Sequence, residues 1–178
     1  MRNLVSSVVL GAFALLLATG CATTIPQAKF SQPFAPESRI AAGDEVNIAI
    51  DTAPGIRLEK WERERLTERL TQKINDRQIK NSREGNKKSF VVALTLTRYE
   101  RGDTVSRMML AGLGQIHVDG EVTLLELPER NTVARFSISK TFAWGGMYGV
   151  SISTDDIEQT FADGVAAALT GQKGDQKR

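Results

Sequence analysis

The sequence predicts an α+β domain: a two-layer sandwich, mainly antiparallel sheet with two helices on one face, in the order β-α-β-β-β-α. Two stretches carry apolar residues four apart, the spacing of an amphipathic helix. Three others alternate apolar with polar side chains, the period of a strand with one buried and one wet face. A single wet face leaves the other to be covered, so both helices belong on the same side.

The first 20 residues are expected to be absent from the mature domain. Arg2 gives a positive start, Leu4 to Leu17 is apolar apart from Ser6 and Ser7, and small residues follow, the pattern of a secretory signal peptide. Cys21, the only cysteine, closes Leu17-Ala18-Thr19-Gly20-Cys21. This resembles the lipobox of bacterial lipoproteins, with Ala18 where Leu is commonest. The resemblance implies cleavage before Cys21, thioether acylation of its thiol and acylation of the new amino group, so that several acyl chains hold the protein in the membrane. Ala22, rather than Asp, is compatible with export to the outer membrane of a Gram-negative cell. With Cys21 consumed by lipid, stability falls to packing and hydrogen bonds rather than disulfides.

Residues 21–43 read as a lipidated, extended tether. Pro26, Pro33 and Pro36 are scattered among small polar residues, and such a segment spans on the order of 60 Å. Phe30, Phe34 and Ile40 are more than a passive tether needs, and dock either on the domain or on a partner.

The globular domain is expected over 44–171. Val46, Ile48 and Ile50 alternate in a short strand ended by Pro54-Gly55. Residues 57–80 are rich in helix formers, with Leu66, Leu70 and Ile74 as the apolar row. Glu59–Arg63 and Lys60–Glu64 are opposite charges four apart. Trp61 lies half a turn from the row, either against a loop or on the surface. Phe90, Val92, Leu94 and Leu96 mark the next strand. In the one after it, Ile116, Val118, Gly120, Val122 and Leu124 alternate with polar residues. Pro128 to Asn131 forms a turn before Ala134, Phe136, Ile138 and Phe142. The last helix spans about 154–170, capped by Ser153 or Thr154, with Asp155 and Asp156 at its positive end and Gly171 as the stop. Residues 172–178 read as a disordered polar tail.

Charge excludes one class of partner. Twenty-three basic against 21 acidic residues give a net charge of +2, and the two signs are interleaved, so nucleic acid is not expected. Catalytic chemistry finds little support. Leu110-Ala111-Gly112-Leu113-Gly114 leads into a strand rather than a helix and lacks a Gly-Lys-Ser/Thr ending, so it is no phosphate loop but a close backbone approach or a packing surface. His117, the single histidine, has Asp119 and Glu121 on its polar face, too few ligand types for zinc, and is expected to be solvent-exposed. No cofactor, no metal and no catalytic residue are expected, and the protein is read as not an enzyme.

Phe142-Ala143-Trp144-Gly145-Gly146-Met147-Tyr148-Gly149-Val150 sets aromatic side chains among glycines in a connecting loop. With Met108, Met109, Leu110 and Leu113 it makes two apolar loops, serving either as an interaction surface or as plugs for the core.

From Arg107 the chain reads an apolar stretch, a Gly112-Leu113-Gly114 turn and a strand to Glu126, followed later by Trp144-Gly145-Gly146. This is similar to the uncharacterised bacterial lipoprotein family catalogued as domain of unknown function 4410. The resemblance implies an envelope protein of this fold, with no activity attached. The element order also resembles outer-membrane lipoproteins that act as accessory subunits of polysaccharide export, secretion and peptidoglycan-synthesis machines, at the level of fold. The leading expectation is a periplasm-facing outer-membrane lipoprotein that contacts another envelope protein or its own copies through Arg107, Gly112, Gly114, Trp144, Gly145, Gly146 and Tyr148. The alternative is a periplasmic ligand-binding or hydrolytic protein using His117, Asp119 and Glu121.

Overall fold

A computed structural model describes residues 26–33, 35–82, 85–103, 105–106, 114–143 and 151–172. The expected strands and helices are present: β2 (Glu45–Thr52), α1 (Lys60–Gln78), β3 (Ser89–Glu100), β4 (Ile116–Glu126), β5 (Asn131–Phe142) and α2 (Thr154–Thr170). An additional strand, β1 (Lys29–Gln32), precedes them. The sheet runs β1-β5-β4-β3-β2; β2 and β3 are parallel, and the other pairs are antiparallel. The parallel pair needs a crossover, which α1 supplies. Among the described residues no helix is long and apolar enough to cross a membrane.

The expected tether is corrected over its described part. Lys29, Phe30 and Gln32 pair with Ser137, Phe136 and Arg135 of β5, and the Phe30 ring lies 5.0 Å from that of Phe136. Ile40 is completely buried, and its N–H donates to the Leu169 carbonyl at 3.1 Å. Of the three suspect apolar residues, Phe30 and Ile40 dock on the domain, because the sheet edge and the end of α2 would otherwise stay open. Phe34 lies outside the described residues.

The core fills the space between the helices and one sheet face. Leu66, Leu70 and Ile74 from α1 and Ile157, Phe161, Val165 and Leu169 from α2 meet Phe90, Val92, Leu94, Val118, Val122, Phe136 and Ile138. Truncating one such side chain to alanine costs about 2–5 kcal/mol. Ser153 caps α2 in a capping box with Asp156, and Gly171 ends it at φ 69°. Trp61 is exposed, and the Arg65 guanidinium stacks over its ring at 4.6 Å.

A bulge changes the end of β3. Leu96 pairs with Gly120 but Arg98 pairs with Asp119, so Thr97 is an inserted residue. The insertion reverses the alternation. Tyr99 therefore turns toward the helices, while Arg98 and Glu100 turn to the outer face.

Candidate functional site

Two loops singled out by sequence leave the sheet at one end. Glu100 pairs with His117, and Ile116 pairs with Phe142. The β3–β4 connection thus begins and ends on strand termini that neighbour the one from which the β5–α2 connection leaves. Arg107, Gly112, Trp144, Gly145, Gly146 and Tyr148 lie outside the described residues, as do Cys21 and residues 173–178. Gly114 is described. At φ 65° its backbone comes so close to Asp103 that a Cβ would stand 2.2 Å from the Asp103 carbonyl oxygen. The close backbone approach is the reason for glycine there.

Beneath this end lies a polar network built from α1, α2 and β3. Glu158, with no exposed surface, accepts two bonds from Arg65 (2.8 and 2.6 Å), one from Arg69 (2.7 Å) and one from the Tyr99 hydroxyl (2.5 Å). Arg69 also reaches Asp155, at its carbonyl (2.8 Å) and its carboxylate. Glu62, 1% exposed, accepts two bonds from Arg101 (2.6 and 2.5 Å) and a longer one from Tyr99 (3.3 Å). Thr154 donates to the Arg101 carbonyl at 3.0 Å, tying the start of α2 to the end of β3.

Electrostatics explains how Glu62 stays ionised despite its burial. For Glu62, desolvation favours the neutral acid. Hydrogen bonds from Arg101 and from the Glu59 N–H, with the Arg101 charge, outweigh it and hold the pKa below its ordinary value. Tyr99 is pushed upward, first by desolvation and then by its bond to Glu158, so its hydroxyl is a fixed donor. Glu62 lies in the first turn of α1, where the macrodipole favours negative charge. A carboxylate offers about four acceptor sites, and Glu158 uses that many on protein donors. It ties α1, α2 and the end of β3 together.

Sequence reasoning missed this network. A signal was available: Glu62 stands four residues before Leu66 in the register of the apolar row, and Glu158 four before the buried Ala162. A carboxylate on a core stripe needs a cation, and Arg65, Arg69 and Arg101 supply it.

The outer sheet face carries the second group of predicted residues. His117 is 7% exposed, not solvent-exposed as expected. The bulge sets Glu100 opposite it, with Oε2 3.8 Å from Nε2, and Thr141 Oγ1 lies 3.0 Å from Nδ1. Burial lowers the histidine pKa, aided by the Arg98 charge and opposed by Glu100 and Asp119. Asp119 accepts from the Ser139 hydroxyl, and Glu121 is exposed across from Thr95. The structure puts these residues on one face, yet no group of three or more His, Cys, Asp or Glu among the described residues is arranged to hold a metal ion.

Residues 59–146 match the family model described as Domain of unknown function (DUF4410). This segment is a DUF4410 match, as the resemblance implied. It begins at Glu59, the residue capping α1, and ends inside the second loop. The DUF4410 segment therefore includes Glu62, Arg65, Arg69, Tyr99 and Arg101 but not Glu158, their partner from α2. No curated protein matches the chain. The fold is similar to PelC from Paraburkholderia phytofirmans, solved as a dodecamer in space group P6, with 9% identity and a TM-score of 0.55 over 83% of this chain and 99% of that one. A PelC variant dodecamer in space group C2 gives 10% identity and 0.55 over 83% and 98%. A DUF330 protein from Xanthomonas campestris gives 12% and 0.49 over 82% and 95%. At such identities the PelC likeness is one of fold.

Proposed function

We propose that this chain is a lipoprotein anchored through Cys21 on the periplasmic face of the outer membrane, where its domain is a non-enzymatic assembly subunit of an envelope complex that includes copies of itself. One observation carries the reading. The strand pairings Glu100–His117 and Ile116–Phe142 bring the roots of both glycine-rich apolar loops to one end of the domain, so residues far apart in sequence serve one contact surface. The Glu62–Tyr99–Glu158 network supports it by stiffening the base of those loops. The PelC structures, both dodecamers of this fold, support self-association.

Cross-linking in intact cells, followed by isolation from the membrane, tests the proposal. A discrete complex containing further copies of the chain or another envelope protein is expected. Trp144→Ala is expected to abolish that complex while leaving cooperative unfolding unchanged. Global unfolding of the variant would instead make the loop a plug for the core, and the surface reading would fail.

A further inference from the structure

The link between the lipid and the domain is much shorter than the sequence suggests. Pro26 already touches α2. A Cβ on Gly164 would stand 2.5 Å from the Pro26 Cβ, so the missing side chain makes its seat. From there the chain continues as β1 on the β5 edge, turns at Pro36–Ser38 and buries Ile40. Only residues 22–25 separate the docked chain from Cys21. An extended chain covers at most about 3.6 Å per residue, so the Cys21 Cα lies within about 18 Å of Pro26.

Resting on the lipid anchor proposed above, we infer that this link holds the β1 edge of the domain against the lipid surface, rather than letting the domain stand clear of it. The chemistry of the edge suits a headgroup layer. A groove of about 490 Å³ runs beside Pro26, with Ala28, Phe30, Ala168 and Arg39 among its walls. Phe30 is 42% exposed on this edge, and Lys29 is exposed next to it. An exposed aromatic ring with a lysine next to it in the strand suits an interface that is apolar below and anionic above. The β2 edge lies four strand spacings away, about 19 Å, which is as far as the whole link extends. With the β1 edge held at the lipid surface, the β2 edge is the one that faces away from it.

The test uses the full lipidated chain in phospholipid vesicles carrying a headgroup quencher. Cys21 is the only cysteine and is consumed by lipid, so Ser31→Cys on β1 and Asn47→Cys on β2 each add one thiol for a fluorophore. The Ser31→Cys label is expected to be quenched about fivefold more than the Asn47→Cys label, given the separation of about 19 Å. A flexible Gly/Ser insert of about 12 residues between Ile25 and Pro26, outside the folded elements, is expected to remove the difference by lengthening the reach. Equal quenching of both labels, or a difference that survives the insert, overturns the inference while leaving the anchor intact. The mass of the processed N-terminal peptide separates the two levels: an unacylated Cys21 overturns the anchor, and the inference with it.

Discussion

Two glutamate–arginine clusters sit at the same end of the sheet, on opposite faces. On the helix side, Glu158 is wholly buried and held by Arg65, Arg69 and Tyr99. On the outer side, Arg98 makes an equally good two-bond pair with Glu100, at 2.8 Å each, but both side chains are about half exposed. The bonds are alike and their solvent is not. Water competes for the outer pair and screens it. In the inner cluster Glu158 has no water to replace a partner that is lost. The bulge at Thr97 creates the contrast, since it sends Tyr99 inward and Arg98 and Glu100 outward.

The sharpest way to break this comparison is Glu158→Gln. Arg65 and Arg69 are left with only the half-exposed Asp155 as a carboxylate partner, and a loss of about 3 kcal/mol, the low end for breaking a buried pair, is expected, read from urea unfolding midpoints. A loss under about 1 kcal/mol would mean that water reaches the site. Tyr99→Phe removes one donor to a charged acceptor and keeps the ring packed, so about 1.5–3 kcal/mol should go by the same measurement.

Titration sharpens the comparison further. Burial lowers the His117 pKa from its ordinary 6.5, so the unfolded chain takes up a proton that the folded chain refuses. Stability from this source is complete above pH 6.5 and is lost as pH falls from there through the folded pKa. Because His117 is the only histidine, its NMR titration is unambiguous, and a midpoint below 6.5 is expected. His117→Gln should flatten the stability profile in that window. Glu62, also lowered, acts in a more acidic range: its contribution is present above 4.5 and is lost as pH falls through its folded pKa. The smallest effect is expected for Glu100→Gln, within about 1 kcal/mol and shrinking as salt is added. A larger loss would show the outer pair to be less solvated than its exposure implies.

Much of the fold was legible because local pattern and tertiary burial agree. Leu66, Leu70 and Ile74 lie on one helical stripe wherever the helix packs, and Ser153 and Gly171 punctuate α2 through their own backbone preferences. The site was legible only in part. Its loops stood out by composition, but that the strand ends they leave from are neighbours depends on which strands pair. The buried network was illegible to a search for catalytic motifs, because its members belong to three separate elements and only Glu62 and Glu158 betray themselves, as charges on apolar stripes. His117 was misread for a related reason: alternation assigns a face, whereas the neighbours on that face set its solvent exposure.

By itself, the sequence determined the order of strands and helices from β2 onward, the core stripes and the caps of α2, all consequences of short-range periodicity and backbone chemistry. Tertiary structure alone decided that the expected tether becomes β1 and the Pro26 contact, that Thr97 bulges, and that Glu158 meets Arg65, Arg69 and Tyr99. Those outcomes depend on an open sheet edge, a gap above a glycine and a shared dry volume, none of which exists until distant segments are packed together.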